Sequence, residues 1–186
     1  MSLEFVPYGK TPRLENVHCT ITEKIDGTNG QIIVHPDGTL VVGSRNRVLV
    51  SIGASCGGIV WEKPGKGQDN FGFGSWAVDN YSNLLRLGPG IHCGEWAGAG
   101  IGRRYNKPGK TFVLFNSDRY ERSHANGLPE GIETAPVLYR GPFTQDAIEQ
   151  CKARLAADSV WAPGFPRPEG FIVRVLGHVM KVVLDK

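Results

Sequence analysis

The chain has 186 residues, 40% hydrophobic and 21% charged, with a formal net charge of +3. These values suit one globular domain that can bury roughly 70% of its unfolded surface without a disulfide or structural metal. No apolar run reaches the ~18 residues of a membrane span. The mild positive charge permits a nucleic-acid partner without demanding one.

The start, Met1-Ser2-Leu3-Glu4-Phe5, has neither the basic opening nor the apolar stretch of a signal peptide. Cys19, Cys56, Cys93 and Cys151 are scattered, with no Cys-x-x-Cys pair and no histidine at zinc-ligand spacing. Free, mostly buried thiols and a cytoplasmic location are expected.

In chain order, Val17 to Glu23 alternates and carries β-branched residues, which predicts a strand. Gln31 to His35 and Thr39 to Arg45 flank Pro36-Asp37-Gly38, so a hairpin is expected there. Residues 53–74 are glycine-rich and read as a loop. Trp76, Ala77, Tyr81, Leu84 and Leu85 recur at helical spacing, with Gly88 as terminator. Ile91 to Trp96 and Thr111 to Phe115 read as strands. Thr144 is a good N-cap for a helix with Asp146 in its first turn and Ile148, Cys151 and Leu155 on its apolar face. Pro163, Pro166 and Pro168 predict an extended linker. Phe171 to Val175 and Val179 to Leu184 read as closing strands around a turn at Gly177. Strands and helices in irregular order, with hairpins, predict an α+β fold with mostly antiparallel sheets.

The chemistry concentrates at Glu23-Lys24-Ile25-Asp26-Gly27-Thr28-Asn29. A lysine at a strand end beside a carboxylate and a tight turn can act as a nucleophile, and glycine allows backbone to approach a phosphate. Lys-x-Asp-Gly also occurs in ordinary turns, so the downstream segments matter. In Ser44-Arg45-Asn46-Arg47, two arginines two apart on a strand would share one side and grip phosphate or ribose oxygens. Glu95 sits inside an apolar, small-residue strand, Gly94-Glu95-Trp96-Ala97-Gly98, and buried carboxylates are uncommon unless paired. Glu169 opens the strand that holds Arg174. Lys181 interrupts the last apolar strand, where a snorkelling edge lysine is the plain alternative. Gly109-Lys110-Thr111 is not a P-loop, because Arg104 stands where the upstream glycine is required.

In this order, the segments resemble the covalent nucleotidyltransferase superfamily of polynucleotide ligases and capping enzymes, and within it the RNA ligases of the phage and kinetoplastid-editing type. Residues 23–29 resemble the nucleophile motif. Residues 94–101 are similar to the Gly-Glu-Trp-Ala-Gly block, and Phe112 to Phe115 resembles the strand whose aromatic stacks on the base. Glu169 to Arg174 and Lys181 fall at the two closing motifs.

The resemblance implies a single adenylyltransferase domain over residues 1–186 that forms a lysyl-AMP at Lys24 from ATP and passes the AMP to a 5′-phosphate end. It implies catalytic roles for Lys24, Lys181 and Glu169. Nucleotide contacts are implied for Glu23, Ile25, Arg45, Glu95, Phe115, Arg174 and Lys181, and Mg²⁺ (or Mn²⁺) at Glu169. A free lysine, with a pKa near ~10.4, is a poor nucleophile at neutral pH. Lys181, Arg174 and a metal would favour its neutral form, against Glu169 and Glu95. Partners would be nucleic-acid ends, RNA before DNA, met by the basic residues Arg103, Arg104, Lys107, Lys110, Arg119 and Arg122.

The chain departs from the pattern in holding one lysine in the last motif, in ending the stacking strand Phe115-Asn116, and in stopping soon after the last motif. An OB-fold domain is therefore not expected within it, and a separate protein could supply one. Open alternatives are a DNA ligase, a GTP-using capping domain, and a nucleotide- or RNA-end-binding module without turnover.

Overall fold

The computed structural model describes residues 4–11, 13, 17–61, 69–125 and 127–184. In chain order these form β1 (His18–Lys24), β2 (Thr28–Val34), β3 (Leu40–Gly43), β4 (Val48–Gly53), β5 (Gly58–Trp61), α1 (Phe73–Asp79), α2 (Tyr81–Leu84), β6 (Gly90–Gly98), β7 (Lys110–Leu114), α3 (Ser117–Ser123), β8 (Ile132–Thr134), β9 (Val137–Pro142), α4 (Gln145–Ala157), β10 (Gly170–Val175) and β11 (His178–Val183). One sheet runs β11-β10-β1-β9 and the other β5-β4-β3-β2-β6-β7-β8. Every pairing is antiparallel except β7 with β8. The fold is α+β with mostly antiparallel sheets.

Each sheet has its own core. Under the seven-stranded sheet, Ile32, Leu40, Val42, Leu84 and Leu114 pack around Phe73, Trp96 and Phe112. Those rings lie 5.0–5.4 Å from Phe73, centroid to centroid. They fit because Gly30 and Gly94, register partners on β2 and β6, carry no side chain. A Cβ at Gly30 would come within 2.8 Å of Phe73, and one at Gly94 within 2.7 Å of Phe112. Under the four-stranded sheet, Ile21, Phe171 and Val173 meet Ala147, Cys151 and Leu155 of α4. The Thr144 hydroxyl accepts the Ala147 N–H at 3.1 Å, capping α4 as expected. A third cluster joins the two halves: Ile25, Ala97, Tyr105, Val113, Ala135, Trp161, Ala162 and Phe165.

Several expectations are revised. The helix over 76–85 starts at Phe73 and breaks at Asn80, whose side chain donates to the Trp76 carbonyl. The region 53–74 is not all loop: β4 and β5 pair across a short turn, and Gly57 and Gly58 at its end take φ of 82° and 110°. Part of that region, residues 62–68, lies outside the described residues. The elements α3, β8 and β9 were not anticipated. The proline-rich stretch is more than a linker, since Phe165 in it is buried, as are Trp161 and Ala162 just before it. All four cysteines are free: Cys19 and Cys151 are buried, Cys56 is half-buried and Cys93 exposed. Among the described residues no helix is long and apolar enough to cross a membrane.

Candidate active site

Lys24 ends β1 in one sheet, and Thr28 opens β2 in the other, so residues 25–27 form the step between the sheets. Strand alternation aims successive side chains of β1 at opposite faces. Thr22 and Lys24 face a cleft between the sheets, whereas Cys19 and Ile21 enter the core. The cleft, about 240 Å³, is lined by Thr22, Glu23, Lys24, Ile25, Asn29, Arg45, Glu95, Val113, Phe115, Ala135, Ile172, Arg174 and Val179. The fold thus gathers residues 23, 24, 25, 45, 95, 115 and 174 around one space.

Lys24 Nζ donates to Glu169 Oε2 at 2.5 Å, and both side chains are mostly shielded from solvent. The pair is held from β10, because Lys24 is the register partner of Gly170. Lys181 lies opposite Ile172 in the β10–β11 ladder. Cross-strand partners share a face, so Lys181 is on the cleft side of the sheet but exposed on its edge strand, outside the lining.

Arg45 and Glu95 are joined through Asn29. Arg45 Nε donates to Asn29 Oδ1 at 2.6 Å, and Asn29 Nδ2 donates to Glu95 Oε2 at 2.9 Å. Asn29 lies within the nucleophile-like motif, and its amide links both walls. Asn70 was missed altogether: its side chain accepts from the Thr28 hydroxyl at 2.7 Å and donates to the Asn29 carbonyl at 3.0 Å. Only the Gly-rich setting marked that region. Arg45 and Arg47 are not on a strand but in the turn between β3 and β4. The β-hairpin brings Arg45 to the cleft through the turn, not through strand alternation.

Glu23 meets the cleft on one side only. Its backbone lines the cleft, but its carboxylate turns the other way and is fully engaged. It accepts from Ser159 Oγ at 2.6 Å, Val160 N at 2.8 Å and Trp161 N at 2.9 Å. Burial pushes this carboxyl above its ordinary range, and the three hydrogen bonds pull it partly back. The carboxylate ties β1 to the 158–165 segment. Ile25, next to the lysine, is buried in the joining cluster while also reaching the cleft wall.

Gly27 is needed for space. A Cβ there would lie 2.4 Å from the Trp96 carbonyl oxygen and 2.9 Å from Ala97 Cβ. The close approach within the chain is to β6. Asp26 is pinned beside it: its N–H donates to the Tyr105 hydroxyl at 2.8 Å, and its carboxylate meets Arg103 Nε at 3.4 Å. Gly27→Ala is expected to cost about 2–3 kcal/mol by overpacking, seen as a lowered Tm. Gly109→Ala, where nothing lies within 4 Å of the added Cβ, should stay within about 0.5 kcal/mol of wild type.

Burial pushes the Glu95 carboxyl up to about 7; Lys24 and the Gly27 and Asn29 donors oppose this, and Glu169 adds to it. The unfolded carboxyl loses its proton near 4.5. Between these values the folded chain holds the extra proton, so stability falls as pH rises from about 4.5 to about 7. Glu95→Gln, which cannot ionise, should raise Tm relative to wild type at pH 8, and the gain should be much smaller at pH 5. Equal Tm differences at both values would show that Glu95 ionises normally.

Phe115 follows β7 at the cleft wall, with its N–H bonded to the Cys93 carbonyl at 3.0 Å. Asn116, where the family pattern has aspartate, caps α3: its side chain accepts the Arg119 N–H. The basic residues are partly committed within the chain. Arg103 donates to the Arg167 carbonyl, Lys107 lies 4.6 Å from the Trp161 ring, and Arg119 donates to the Ile91 carbonyl. Arg122 lines a separate cavity with Arg140.

Among the described residues no three His, Cys, Asp or Glu side chains converge as a metal cage. Glu169 and Glu95, both near Lys24, fit the one or two carboxylates through which Mg²⁺ or Mn²⁺ binds while keeping water and phosphate ligands.

The RNA ligase family model matches residues 17–183, which is nearly the whole chain and includes every residue of the cleft. The chain belongs to the RNA ligase family. Among solved structures, this family member is similar to a Naegleria gruberi RNA ligase variant with ATP and Mn, at 17% identity and a TM-score of 0.61, covering 91% of this chain and 50% of that one. The same ligase with PPi matches at 16% identity and a TM-score of 0.61, again covering 91% and 50%. A variant with AMP and Mn matches at 16% identity and a TM-score of 0.60, covering 96% and 56%. At such identities the likeness is one of fold, and the chain spans about half the length of those ligases. No curated protein matches the sequence.

Proposed function

We propose that this chain is the nucleotidyltransferase part of an ATP-dependent RNA ligase and that Lys24 carries AMP as a covalent intermediate. One observation carries the reading. In a member of the RNA ligase family, the single lysine lining the inter-sheet cleft among the described residues has its amine on a carboxylate, Glu169, at 2.5 Å. The Naegleria structures hold ATP, AMP or PPi with a ligase of this fold, which agrees with the same nucleotide chemistry here.

In the first step Lys24 Nζ bonds to the α-phosphorus of ATP, the bond to the β-phosphate breaks, and pyrophosphate leaves with the electron pair. Glu169 is placed to hold the ammonium and receive its proton. Phe115 supplies the aromatic face for the base, and the Arg45–Asn29–Glu95 chain supplies donors and acceptors for the ribose. Arg174 and Lys181 supply positive charge around the phosphates. A divalent ion at Glu169, shared with Glu95, would neutralise phosphate charge and weaken the hold of that carboxylate on Lys24. In the later steps a 5′-phosphate oxygen takes the AMP as the P–N bond breaks. A 3′-hydroxyl then displaces AMP to form the phosphodiester.

The test is intact mass after incubation with Mg²⁺ or Mn²⁺ and ATP, GTP or NAD, followed by peptide mapping. An AMP adduct from ATP, mapped to Lys24, is the expected result. A GMP adduct would point to capping chemistry, and no adduct from a folded sample would overturn the reading. Nicked substrates carrying a pre-adenylated RNA or DNA end then identify the strand that is sealed.

A further inference from the structure

Two stretches of three consecutive residues have left-handed backbone: Arg104, Tyr105 and Asn106, with φ of 62°, 48° and 52°, and Asn70, Phe71 and Gly72, with φ of 46°, 59° and 86°. Side chains with a Cβ are disfavoured in this region, and a bulky one there marks a constraint imposed by packing or by function. Packing accounts for the first stretch. Tyr105 is buried, its ring lies 4.9 Å from Trp161 and 4.8 Å from Phe165, and its hydroxyl receives the Asp26 N–H.

Packing does not account for Phe71, whose side chain is 59% exposed. Its conformation is held through the main chain instead. The Phe71 carbonyl accepts from Trp96 Nε1 at 3.2 Å and from Lys110 Nζ at 2.8 Å. The preceding Asn70 is tied to Thr28 and Asn29 by its side chain. The chain therefore anchors a strained backbone on both sides in order to hold an aromatic ring in solvent.

The location indicates what the ring meets. Asn70 lines a polar cavity of about 370 Å³ with Thr28, Asn29, Ser44, Arg45 and Arg47. Asn29 and Arg45 also line the cleft that holds Lys24. A polynucleotide end brought to Lys24 would pass this cavity, where hydroxyl, amide and guanidinium groups suit ribose and phosphate oxygens. Phe71 directly follows Asn70 in the chain, and its exposed aromatic ring suits the face of a base, a contact that tolerates any sequence.

We propose that Phe71 is a stacking platform for a base of the RNA strand whose end is joined. This rests on the RNA ligase reading above. The test compares Phe71→Ala, Phe71→Trp and Phe71→Gly with wild type by fluorescence anisotropy on a labelled nicked RNA duplex and by thermal melting. Loss of one stacked base should weaken RNA binding roughly 5- to 150-fold in Phe71→Ala, and Phe71→Trp should restore it. Phe71→Gly should lose binding equally while its Tm holds or rises, because glycine is at ease at this φ.

Unchanged RNA affinity in Phe71→Ala overturns the proposal. So does a Phe71→Gly protein whose Tm falls together with its binding, which would make the ring structural. A change confined to self-association, with RNA affinity intact, would mark a protein contact and also overturn it. The two readings fail separately: a wild type that forms no AMP adduct counts against the ligase reading, whereas one that forms it and binds RNA regardless of residue 71 counts only against Phe71.

Discussion

Lys24→Ala is expected to yield a folded protein that takes up no AMP. Among the described residues lining the cleft, Lys24 offers the only amine; Arg45 and Arg174 carry guanidinium groups, which are not nucleophiles. Lys181 stands on the edge strand outside the lining and is not placed to substitute. The adduct should drop to background by intact mass. The stability cost should be modest, within about 1–2 kcal/mol, because the lost pair is a partly exposed contact and no core methylene goes with it. Removing the ammonium also removes the charge that holds the Glu95 carboxyl down, so the loss in Tm should be larger at pH 8 than at pH 6. Lys24→Arg keeps a cation beside Glu169 and should melt near wild type, yet remain unlabelled. A labelled Lys24→Ala protein would move the nucleophile elsewhere, and a collapsed Tm would make Lys24 a structural residue.

Glu23→Ala should have the largest effect on stability of any single change proposed here. The carboxylate is 1% exposed and receives three donors from residues 159–161. Truncation strands two backbone N–H groups and one hydroxyl in a buried setting, at about 1–3 kcal/mol for each unsatisfied group. A total of about 3–5 kcal/mol corresponds to a fall in Tm of roughly 6–20 °C for a domain of this size. Trp161, Ala162 and Phe165 belong to the cluster that joins the two halves, so the damage should spread to the seam next to Lys24. Glu23→Gln keeps one acceptor oxygen and should fall between wild type and Glu23→Ala. A wild-type Tm in Glu23→Ala would show that water can replace the carboxylate.

Much of the site was legible in the chain because its signals are local. Lys24 follows an alternating strand, Glu95 interrupts a run of small apolar residues, and Glu169 opens a strand; each can be read within a few positions. The α4 cap at Thr144 and the hairpin at residues 36–38 are local in the same sense, and both formed as expected. What escaped notice was carried by partners far away in sequence. The donors to Glu23 lie 136–138 residues downstream, and Asn70 reaches back 41 residues to Asn29. Short elements also escaped. The strand β8 has three residues and pairs in parallel with β7, so neither its length nor a tight turn announced it. Gly57, read as loop, ends the 3-10 turn of residues 54–56 between β4 and β5, and Gly58 already belongs to β5.

By itself, the order of residues determined which strands alternate, where α4 begins, and which lysine and carboxylates are candidates for the chemistry, since propensity, periodicity and capping act over a few neighbouring residues. Only the tertiary structure decided where those groups point and what they touch. The step of residues 25–27 from one sheet to the other opens the cleft, and the packing of Trp161 and Phe165 draws the 158–165 segment against β1. Strand alternation sends the carboxylate of Glu23 to that segment and the amine of Lys24 to Glu169. The physical reason is distance along the chain: a buried carboxylate is stabilised by whichever donors the core brings to it, and those donors are set by packing between segments more than a hundred residues apart.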